Sequence, residues 1–277
     1  MRDMKRNNRI TGLALFLLML AAPLRAQILS AGDLFGPGAP PPMIGVEIGI
    51  GQHTQNGTFQ AICKCSFGNG SGIGFLGGLL FELPLSYEWT IGLGTKLDFK
   101  TYTTSTNVEE TATVTYNNGN SVATADFPFE RDGSVKETFL VLAPFLRYEL
   151  ARNGPFVQAG PGIGLLISSN FTHTRVLNTT TLTIDSGKTI SGIRFQNGTR
   201  EEQLETGKIA NAAGTRISVL ASAGWNILVG DNAVFAPMVT MDIPLTKVRD
   251  DFVGESGALG WKITSLYFSV GLKYKLD

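Results

Sequence analysis

Charged side chains recur at every second position in several stretches of this chain, and their spacing indicates what chemistry they could do. Within residues 88–100, Lys96, Asp98 and Lys100 alternate with Leu97 and Phe99. Successive side chains of an extended strand point to opposite faces, so these charges share one face and apolar residues cover the other. Acids and bases collected on one face can form ion pairs, line an ion pathway or exchange protons in catalysis.

Charges of both signs fall on such polar faces elsewhere in the chain. The full set is Glu47, Glu82, Glu88, Lys96, Asp98, Lys100, Arg147, Glu149, Arg216, Asp242, Lys273 and Lys275. If the strands close into a small barrel, these side chains enter its interior, where unpaired charge is costly. We therefore predict a lumen plugged by pairs of opposite charge. A narrow ion-conducting pore is the alternative.

Histidine and cysteine are scarce. His53 and His173 are the only histidines, and both fall in stretches that we predict to be loops. Neither belongs to a recognisable catalytic motif. Cys63 and Cys65 are one residue apart, so a local disulfide would close a small, strained ring, and a metal site would need further ligands. We predict a disulfide, within the chain or between copies, and no catalytic, cofactor-binding or metal-ligating set.

Eight runs of alternating apolar and polar residues carry these groups. The runs cover residues 44–51, 75–83, 88–100, 139–150, 157–167, 216–227, 235–243 and 266–276. Runs of about 10 residues suffice for tilted strands to cross a bilayer. No stretch after the N-terminal region has about 18 uninterrupted apolar residues, which excludes a helical membrane protein.

The joints between the runs alternate in length. Short joints at 84–87, 151–155 and 229–233 alternate with long polar joints at 52–72, 102–135, 169–214 and 246–262. This asymmetry is typical of a barrel whose two ends face different compartments. We predict an all-β fold, an eight-stranded antiparallel up-and-down transmembrane β-barrel with short periplasmic turns and long extracellular loops.

Aromatic residues gather near the ends of the runs, which favours apolar faces directed at lipid over a soluble, lipocalin-like barrel. The predicted periplasmic belt contains Tyr87, Trp89, Tyr148, Phe156, Trp225, Phe235 and Tyr274. A looser extracellular belt contains Phe75, Phe99, Tyr102, Phe139, Phe171 and Phe268.

Two long joints contain signals for hairpins above the membrane. Residues 111–116 and 121–125 flank an Asn/Gly-rich turn at 117–120, and residues 181–184 and 189–190 flank a second turn at 185–188. These hairpins are either polar stalks or exposed edges for binding another molecule.

The N-terminal region predicts an exported protein. Residues 1–26 combine a basic start, a short apolar core and Ala26 at a cleavage position, as in a signal peptide. Residues 27–42 are rich in proline and glycine and predict a flexible periplasmic lead-in, and residues 43–277 form the barrel. After cleavage, 18 basic and 22 acidic residues remain, a net charge of about −4, which does not favour nucleic-acid binding.

Two parts of the chain resemble the outer membrane β-barrel domain family that includes PorT-like proteins. One comprises residues 139–150 (FLVLAPFLRYEL) with 154–164 (GPFVQAGPGIG), and the other residues 266–274 (LYFSVGLKY). The resemblance implies an eight-stranded barrel, with one branch of the family serving a secretion system, and implies no catalytic residues. The chain differs in ending at Leu276-Asp277, where many such barrels end on an aromatic residue.

These observations predict a non-enzymatic barrel of the bacterial outer membrane with a structural or surface-adhesive role. A secretion-system accessory and a narrow pore are the alternatives. The predicted partners are outer-membrane lipid, the barrel assembly machinery and a protein of the cell surface or of a secretion complex. No cofactor and no nucleic acid are predicted.

Overall fold

The computed structural model describes residues 40–60, 66–116, 121–179, 181–183, 189–209, 212–248 and 260–276. Residues 1–26, most of the predicted lead-in, and Cys63 and Cys65 lie outside these ranges. No helix among the described residues is long and apolar enough to cross a membrane. The described chain forms thirteen strands: β1 (Met43–Gln60), β2 (Ser66–Phe67), β3 (Gly70–Pro84), β4 (Trp89–Tyr116), β5 (Ser121–Glu149), β6 (Pro155–Leu177), β7 (Thr181–Thr183), β8 (Thr189–Ser191), β9 (Glu201–Lys208), β10 (Thr215–Trp225), β11 (Ile227–Val229), β12 (Ala233–Pro244) and β13 (Gly260–Lys275).

Eight of these strands close into a barrel. The ring runs β1–β3–β4–β5–β6–β10–β12–β13 and returns to β1, and every neighbouring pair is antiparallel. The strands follow one another around the ring in chain order, so the predicted eight-stranded up-and-down topology is confirmed. Closure leaves no exposed sheet edge within the ring, as a membrane-spanning sheet requires.

The three short joints are tight turns at one end of the barrel, as predicted. They lie at residues 85–88, 150–154 and 230–232. The first and last strands of the barrel start and finish at this same end, where the Leu276 amide donates a hydrogen bond of 2.8 Å to the carbonyl of Pro42.

Large apolar side chains cover the outer wall, as predicted. Ile48, Leu79 and Phe268 expose 63%, 60% and 60% of their surfaces, whereas a water-soluble barrel would bury these side chains. An exposed apolar band of this extent matches the lipid-facing surface of a transmembrane barrel.

Two glycines make room for large inward side chains. A Cβ atom at Gly74 would collide with the Phe99 carbonyl oxygen and with Nε2 of His53, and one at Gly92 would enter the ring of Phe145. Residues without a side chain at these positions let bulky groups fill a narrow lumen.

The strands extend well beyond the membrane, so that much of the length of the predicted long joints consists of paired strands. β4 and β5 contain 28 and 29 residues and remain paired from Trp89 and Tyr148 out to Tyr116 and Ser121. About 9–11 residues suffice to cross a bilayer, so more than half of each strand stands outside it. The predicted hairpin strands at 111–116 and 121–125 form the outer end of this pair, and β7 pairs with β8 as the second hairpin. The residues of both turns lie outside the described ranges.

A bulge in β6 changes which side chains face inward. Leu166 pairs with Phe139 and Ser168 with Thr138, so Ile167 is an extra residue in β6. Before the bulge the even-numbered residues face inward, and after it the odd-numbered residues do, from Ser169 onward. A one-residue insertion of this kind moves every later side chain to the opposite face.

We predict that an arginine on the lipid-facing wall destabilises the barrel according to its depth. Ile48→Arg, near mid-wall, should lower the free energy of unfolding in lipid vesicles by about 2–4 kcal/mol, because a guanidinium replaces an aliphatic group in hydrocarbon. Ser105→Arg, exposed on the extension of β4 outside the membrane, is the control and should change it by less than about 1 kcal/mol. Equal effects, measured by urea unfolding, would show that Ile48 does not face lipid.

Candidate functional site

The lower lumen, near the short turns, is filled by a hydrogen-bonded ion cluster that we call the periplasmic charge layer. Arg147 donates to both carboxylate oxygens of Glu82, at 2.7 and 2.6 Å, and Lys273 approaches the same carboxylate at 3.1 Å. Gln158 accepts from Arg147 at 3.0 and 2.8 Å, and the Arg147 guanidinium lies 4.4 Å from the centre of the Phe156 ring. This bidentate pairing satisfies a carboxylate that is fully removed from solvent.

The middle of the lumen holds a second pair and little empty space. Lys96 Nζ lies 2.7 Å from Glu47 Oε2, an ionic contact whose angles fall outside hydrogen-bonding geometry. Next to it, Ser222 and Thr240 share a hydrogen bond of 2.8 Å. A cavity here has a volume of about 20 Å³, which is room for about one water molecule.

A third group, the extracellular charge layer, crosses the lumen above the middle pair. Lys100 contacts Asp98 at 2.9 Å and donates to the hydroxyls of Ser265 and Tyr267 at 2.7 and 2.6 Å. Asp242 accepts from Arg216 at 2.7 Å and lies 3.5 Å from Lys100. The cationic groups of Lys100 and Arg216 are therefore held by the carboxylates of Asp98 and Asp242.

Buried ions are stable only when opposite charges and hydrogen bonds replace their hydration. All three levels supply opposite charges, and hydrogen bonds add to them in the periplasmic and extracellular charge layers. The paired side chains fill the cross-section of the barrel. The arrangement supports a plugged lumen.

An apolar plug, the aromatic cap, covers the extracellular mouth above the charges. It consists of Phe67, Tyr102, Val135, Phe171, Val248, Trp261 and Ile263, and these side chains are buried. Trp261 Nε1 donates to the Tyr102 hydroxyl at 2.9 Å, across the mouth from β13 to β4. The cap separates the extracellular charge layer from the cell exterior.

Beyond the cap, the extended strands form a folded extracellular module with its own apolar centre. We define this module as residues 104–116, 121–133, 172–179, 181–183 and 189–209. Its centre, the outer core, consists of Ala112, Val114, Phe127, Phe129, Leu177, Ile190, Ile193 and Phe195. The rings of Phe129 and Phe195 stack with centroids 5.8 Å apart. Residues 190–195 thus cover the inward face of β4, β5 and β6, and an extension with a packed core has a defined shape.

A charged belt lies between the cap and the outer core. Arg131 pairs with Glu110, while Arg175 contacts Glu202 at 2.5 Å and Glu110 at 3.6 Å. The Arg175 guanidinium also lies 4.7 Å from the centre of the Phe129 ring, joining the belt to the outer core.

His173 is buried at the inner side of this belt. Its Nε2 lies 3.5 Å from Nη1 of Arg131, and its ring meets Phe67 edge to face with centroids 5.3 Å apart. Burial lowers the pKa of the imidazole below its ordinary value of 6.5, and the positive charge of Arg131 lowers that pKa further.

Most charges predicted to enter the lumen do so, and three do not. Glu88 is exposed in the turn at 85–88, Glu149 is half-buried at the rim and accepts from Asn226 at 2.6 Å, and Lys275 reaches outward to the carbonyl of Asp231 at 2.8 Å. These positions lie at the ends of their strands, where the chain leaves the barrel wall. The other nine predicted charges are buried in the lumen: Glu47, Glu82, Lys96, Asp98, Lys100, Arg147, Arg216, Asp242 and Lys273.

The predicted aromatic belts contain errors. Phe156, Tyr102, Phe139 and Phe171 are buried inside the barrel and do not face lipid. Their rings pack beside the charged groups or within the cap, and membrane contact does not explain their position.

The prediction that both histidines lie in loops is wrong. His53 is on β1, fully buried, with Nδ1 2.8 Å from the Ser265 hydroxyl, and His173 is on β6. The two belong to different clusters. The sequence prediction also missed Arg131 and Glu137, both buried. Within the described ranges, no group of three or more His, Cys, Asp or Glu residues could hold a metal ion.

The sequence matches a family model described as "Outer membrane protein beta-barrel domain" over residues 43–227, two thirds of the chain. The chain belongs to this family. Membership and the barrel structure place the protein in the bacterial outer membrane. The match does not test the likeness to the PorT-like branch. No curated protein matches the sequence.

Solved structures of outer-membrane barrels are similar to this chain at low identity. Ail of Yersinia pestis is 11% identical, with 84% of this chain and 99% of Ail covered and a TM-score of 0.30. Neisserial surface protein A is 9% identical, with 84% and 97% covered and a TM-score of 0.31. OprG of Pseudomonas aeruginosa is 9% identical, with 86% and 97% covered and a TM-score of 0.30. At these values we base no argument about function on the likenesses.

We predict that removal of Arg147 strongly destabilises the barrel, because Glu82 then keeps only Lys273 as a cationic partner in a buried site. Arg147→Ala should lower the free energy of unfolding by about 3–5 kcal/mol. The control Lys275→Ala, at the solvated rim, should change it by less than about 1 kcal/mol. Urea unfolding in lipid vesicles measures both, and an effect of Arg147→Ala no larger than that of the control would contradict the assignment.

Proposed function

We propose that this protein is a non-enzymatic barrel that presents its extracellular module for adhesive contacts at the bacterial surface. The observation that carries this proposal is the contrast between a filled lumen and a large, ordered extension outside the membrane. Nothing in this arrangement favours a transport pathway, whereas the extension offers a defined surface to other molecules.

The lumen supports the proposal because each of its levels is occupied by groups that hold one another in place. A conducting pore lined by charge needs exposed groups that an ion can pass. Here the basic groups of Lys96, Lys100, Arg147 and Lys273 contact acidic partners, and the aromatic cap lies above them. These contacts suit a rigid support for the module.

The outer face of the module supports adhesion because it is polar and hydrogen-bonded across its strands. Cross-strand pairs link its side chains, with Thr111 bonded to Asp126 at 2.5 Å and Thr113 to Thr124 at 2.9 Å. These pairs lie on the exposed side of β4 and β5, opposite the outer core. Ordered hydroxyl and carboxylate groups on a rigid sheet can form many hydrogen bonds without first losing side-chain freedom.

On this proposal, the working partner is a macromolecule of a neighbouring cell or of the surface to which the bacterium attaches. Outer-membrane lipid surrounds the wall, and the barrel assembly machinery inserts the protein. We propose these two as further partners, in keeping with a transmembrane barrel.

The double substitution Thr111→Lys and Thr113→Lys tests this proposal. The two lysines add bulk and positive charge to the outer face, and neither replaces a residue of the outer core. Adhesion of cells that display the variant should therefore fall about tenfold or more, which corresponds to about 1.4 kcal/mol of binding free energy. Adhesion is measured on surfaces coated with collagen, with mucin or with a layer of the same cells.

Thr54→Lys is the matched control, because Thr54 is an exposed threonine on the extracellular part of β1, away from the module. This variant should adhere like the unchanged protein. If the unchanged protein adds no adhesion over cells lacking it on any of the three surfaces, or if the double variant adheres equally well, the adhesive role is wrong.

A further inference from the structure

Above the membrane, β4 loses its neighbour on one side. β3 begins at Gly70, and the last residue of β4 that pairs with it is Thr103. From there β4 continues to Tyr116 and stays paired with β5 on its other side. Among the described residues, no strand pairs with positions 105–113 on the side away from β5. The sheet is therefore closed within the membrane and has an open edge above it.

The alternation of the backbone shows which groups this edge presents. The amide and the carbonyl of Thr115 point away from β5, because they bond the backbone of Arg194 at 2.8 and 2.9 Å. Lower down, a Cβ atom at Gly70 would collide with the carbonyl oxygen of Thr103, so this carbonyl also points away from β5, toward β3. The pairing of β4 with β5 has no register shift between these two residues. Backbone groups alternate sides along an antiparallel strand, so the odd-numbered residues of 105–113 direct theirs to the open edge.

Five amides and five carbonyls are thus presented along about 30 Å of strand. They belong to Ser105, Asn107, Glu109, Thr111 and Thr113, and they bond no other backbone group in the described part of the chain. Proteins normally blunt such an edge with proline, lysine or a bulge, because it is a template for another strand. Residues 105–113 contain none of these. By contrast, β9, at the other end of the extended sheet, has a bulge between Gln203 and Glu205.

The outer face beside the open edge is acidic. Its charged residues on β4 and β5 are Glu109, Asp126, Glu130 and Asp132. Within 104–116 and 121–133 no basic side chain accompanies them on this face, since Arg131 points inward to the charged belt. Burial and then the negative charges of Glu130 and Glu201 raise the pKa of Asp132, as expected where acids crowd together. A strand that joins this edge therefore gains from basic side chains on its outer face.

We propose that the open edge of β4 binds an extended, basic segment of another protein, which is added to the sheet as an antiparallel strand. The backbone of the segment bonds the free amides and carbonyls of β4. Its lysine or arginine side chains lie at alternate positions, on the same face as Glu109. This proposal deepens the adhesive function by naming a class of partner, and it rests on that function only for the location of the partner on a neighbouring surface.

A second copy of this chain fits the edge poorly. If two open edges overlapped fully as antiparallel strands, Glu109 would lie opposite Glu109 of the other copy, and like charges directly opposite each other destabilise a sheet. Two copies in one membrane point in the same direction, so their β4 strands would have to pair in parallel, which is the less stable arrangement. A basic segment of a different protein avoids both costs.

A fluorescein-labelled peptide of about nine residues, with lysine and threonine in alternation, tests this proposal. Its binding to the full-length protein in zwitterionic micelles is followed by fluorescence anisotropy, with empty micelles as the blank. A peptide with glutamate in place of every lysine should bind at least about tenfold more weakly, because the outer face is acidic. Residues directly opposite each other in an antiparallel pair share one face, so N-methylation of the lysine amides should abolish binding and N-methylation of the threonine amides should preserve it.

Two variants of one residue separate the backbone from the side chain. Asn107→Pro removes an amide that points to the open edge and leaves the bonds to β5 intact, as edge strands tolerate. It should weaken binding of the lysine peptide about tenfold or more, whereas the matched control Asn107→Ala should bind like the parent. Glu109→Gln should weaken binding about threefold and reduce its dependence on salt. Retarded migration of unboiled samples on gels verifies that each barrel is folded.

Hydrogen exchange locates the bound peptide. Residue-resolved exchange should slow several-fold at the odd-numbered amides of 105–113 when the peptide is bound, while the even-numbered amides and those of β9 stay unchanged. The proposal is overturned if the lysine peptide does not bind, if folded Asn107→Pro binds it like the parent, or if both N-methylated peptides behave alike. Protection of β9 in place of β4, or dimers of the protein that Asn107→Pro dissociates, would also overturn it. Cell adhesion is measured separately, so loss of the adhesive role leaves the peptide result standing.

Discussion

Every charged side chain inside this barrel is separated from hydrocarbon by the thickness of one sheet, so its charge has to be neutralised by other side chains within the lumen. An isolated ion there would lose several kcal/mol of hydration free energy that the wall cannot replace. Glu82 illustrates the solution, because a guanidinium from β5 and an ammonium from β13 converge on one carboxylate. The same contacts that neutralise the charges tie distant strands together.

The inward face then continues beyond the membrane along the long strands β4, β5 and β6. Along β5 this face passes from Arg147 through Phe139 and Val135 to Arg131 and Phe129. Charged and apolar side chains alternate in blocks along it. The extracellular module is therefore a continuation of the barrel's interior pattern, which explains why its strands stay paired so far from the bilayer.

Much of this could be predicted from the sequence, because alternation and turn spacing are local properties. The ring of eight strands, the three tight turns and the inward direction of most charges follow from them. The partner of each charge could not be predicted, since it depends on the tilt and stagger of the closed sheet. Alternation alone already places Phe156 and Tyr102 on the inward face of their strands. The prediction that they face lipid is wrong because it followed from their being aromatic and ignored their position in the alternation.

His173 shows a different limit. Counting alternate residues along β6 from Phe156 would place it outside, and the extra residue at Ile167 moves it inside. A bulge depends on the neighbouring strand and leaves no clear signal in a single sequence. Similarly, the threonine-rich segments of β4 and β5 suggest loops when the sequence is read alone. In the structure they are strands, because Val114, Phe127 and Phe129 face inward and share one apolar core.

The central claim, a lumen sealed by paired charges beneath an aromatic cap, is tested most directly by the accessibility of Ser222, which is buried at mid-lumen. In a Cys63→Ser and Cys65→Ser background, Ser222→Cys is exposed to a small, charged, membrane-impermeant thiol reagent from both sides of a reconstituted vesicle. Ser105→Cys, exposed on β4, serves as the reactive control. The account predicts rapid modification of the control and essentially none at position 222. Modification of both positions at similar rates would show that the lumen is open to water and ions.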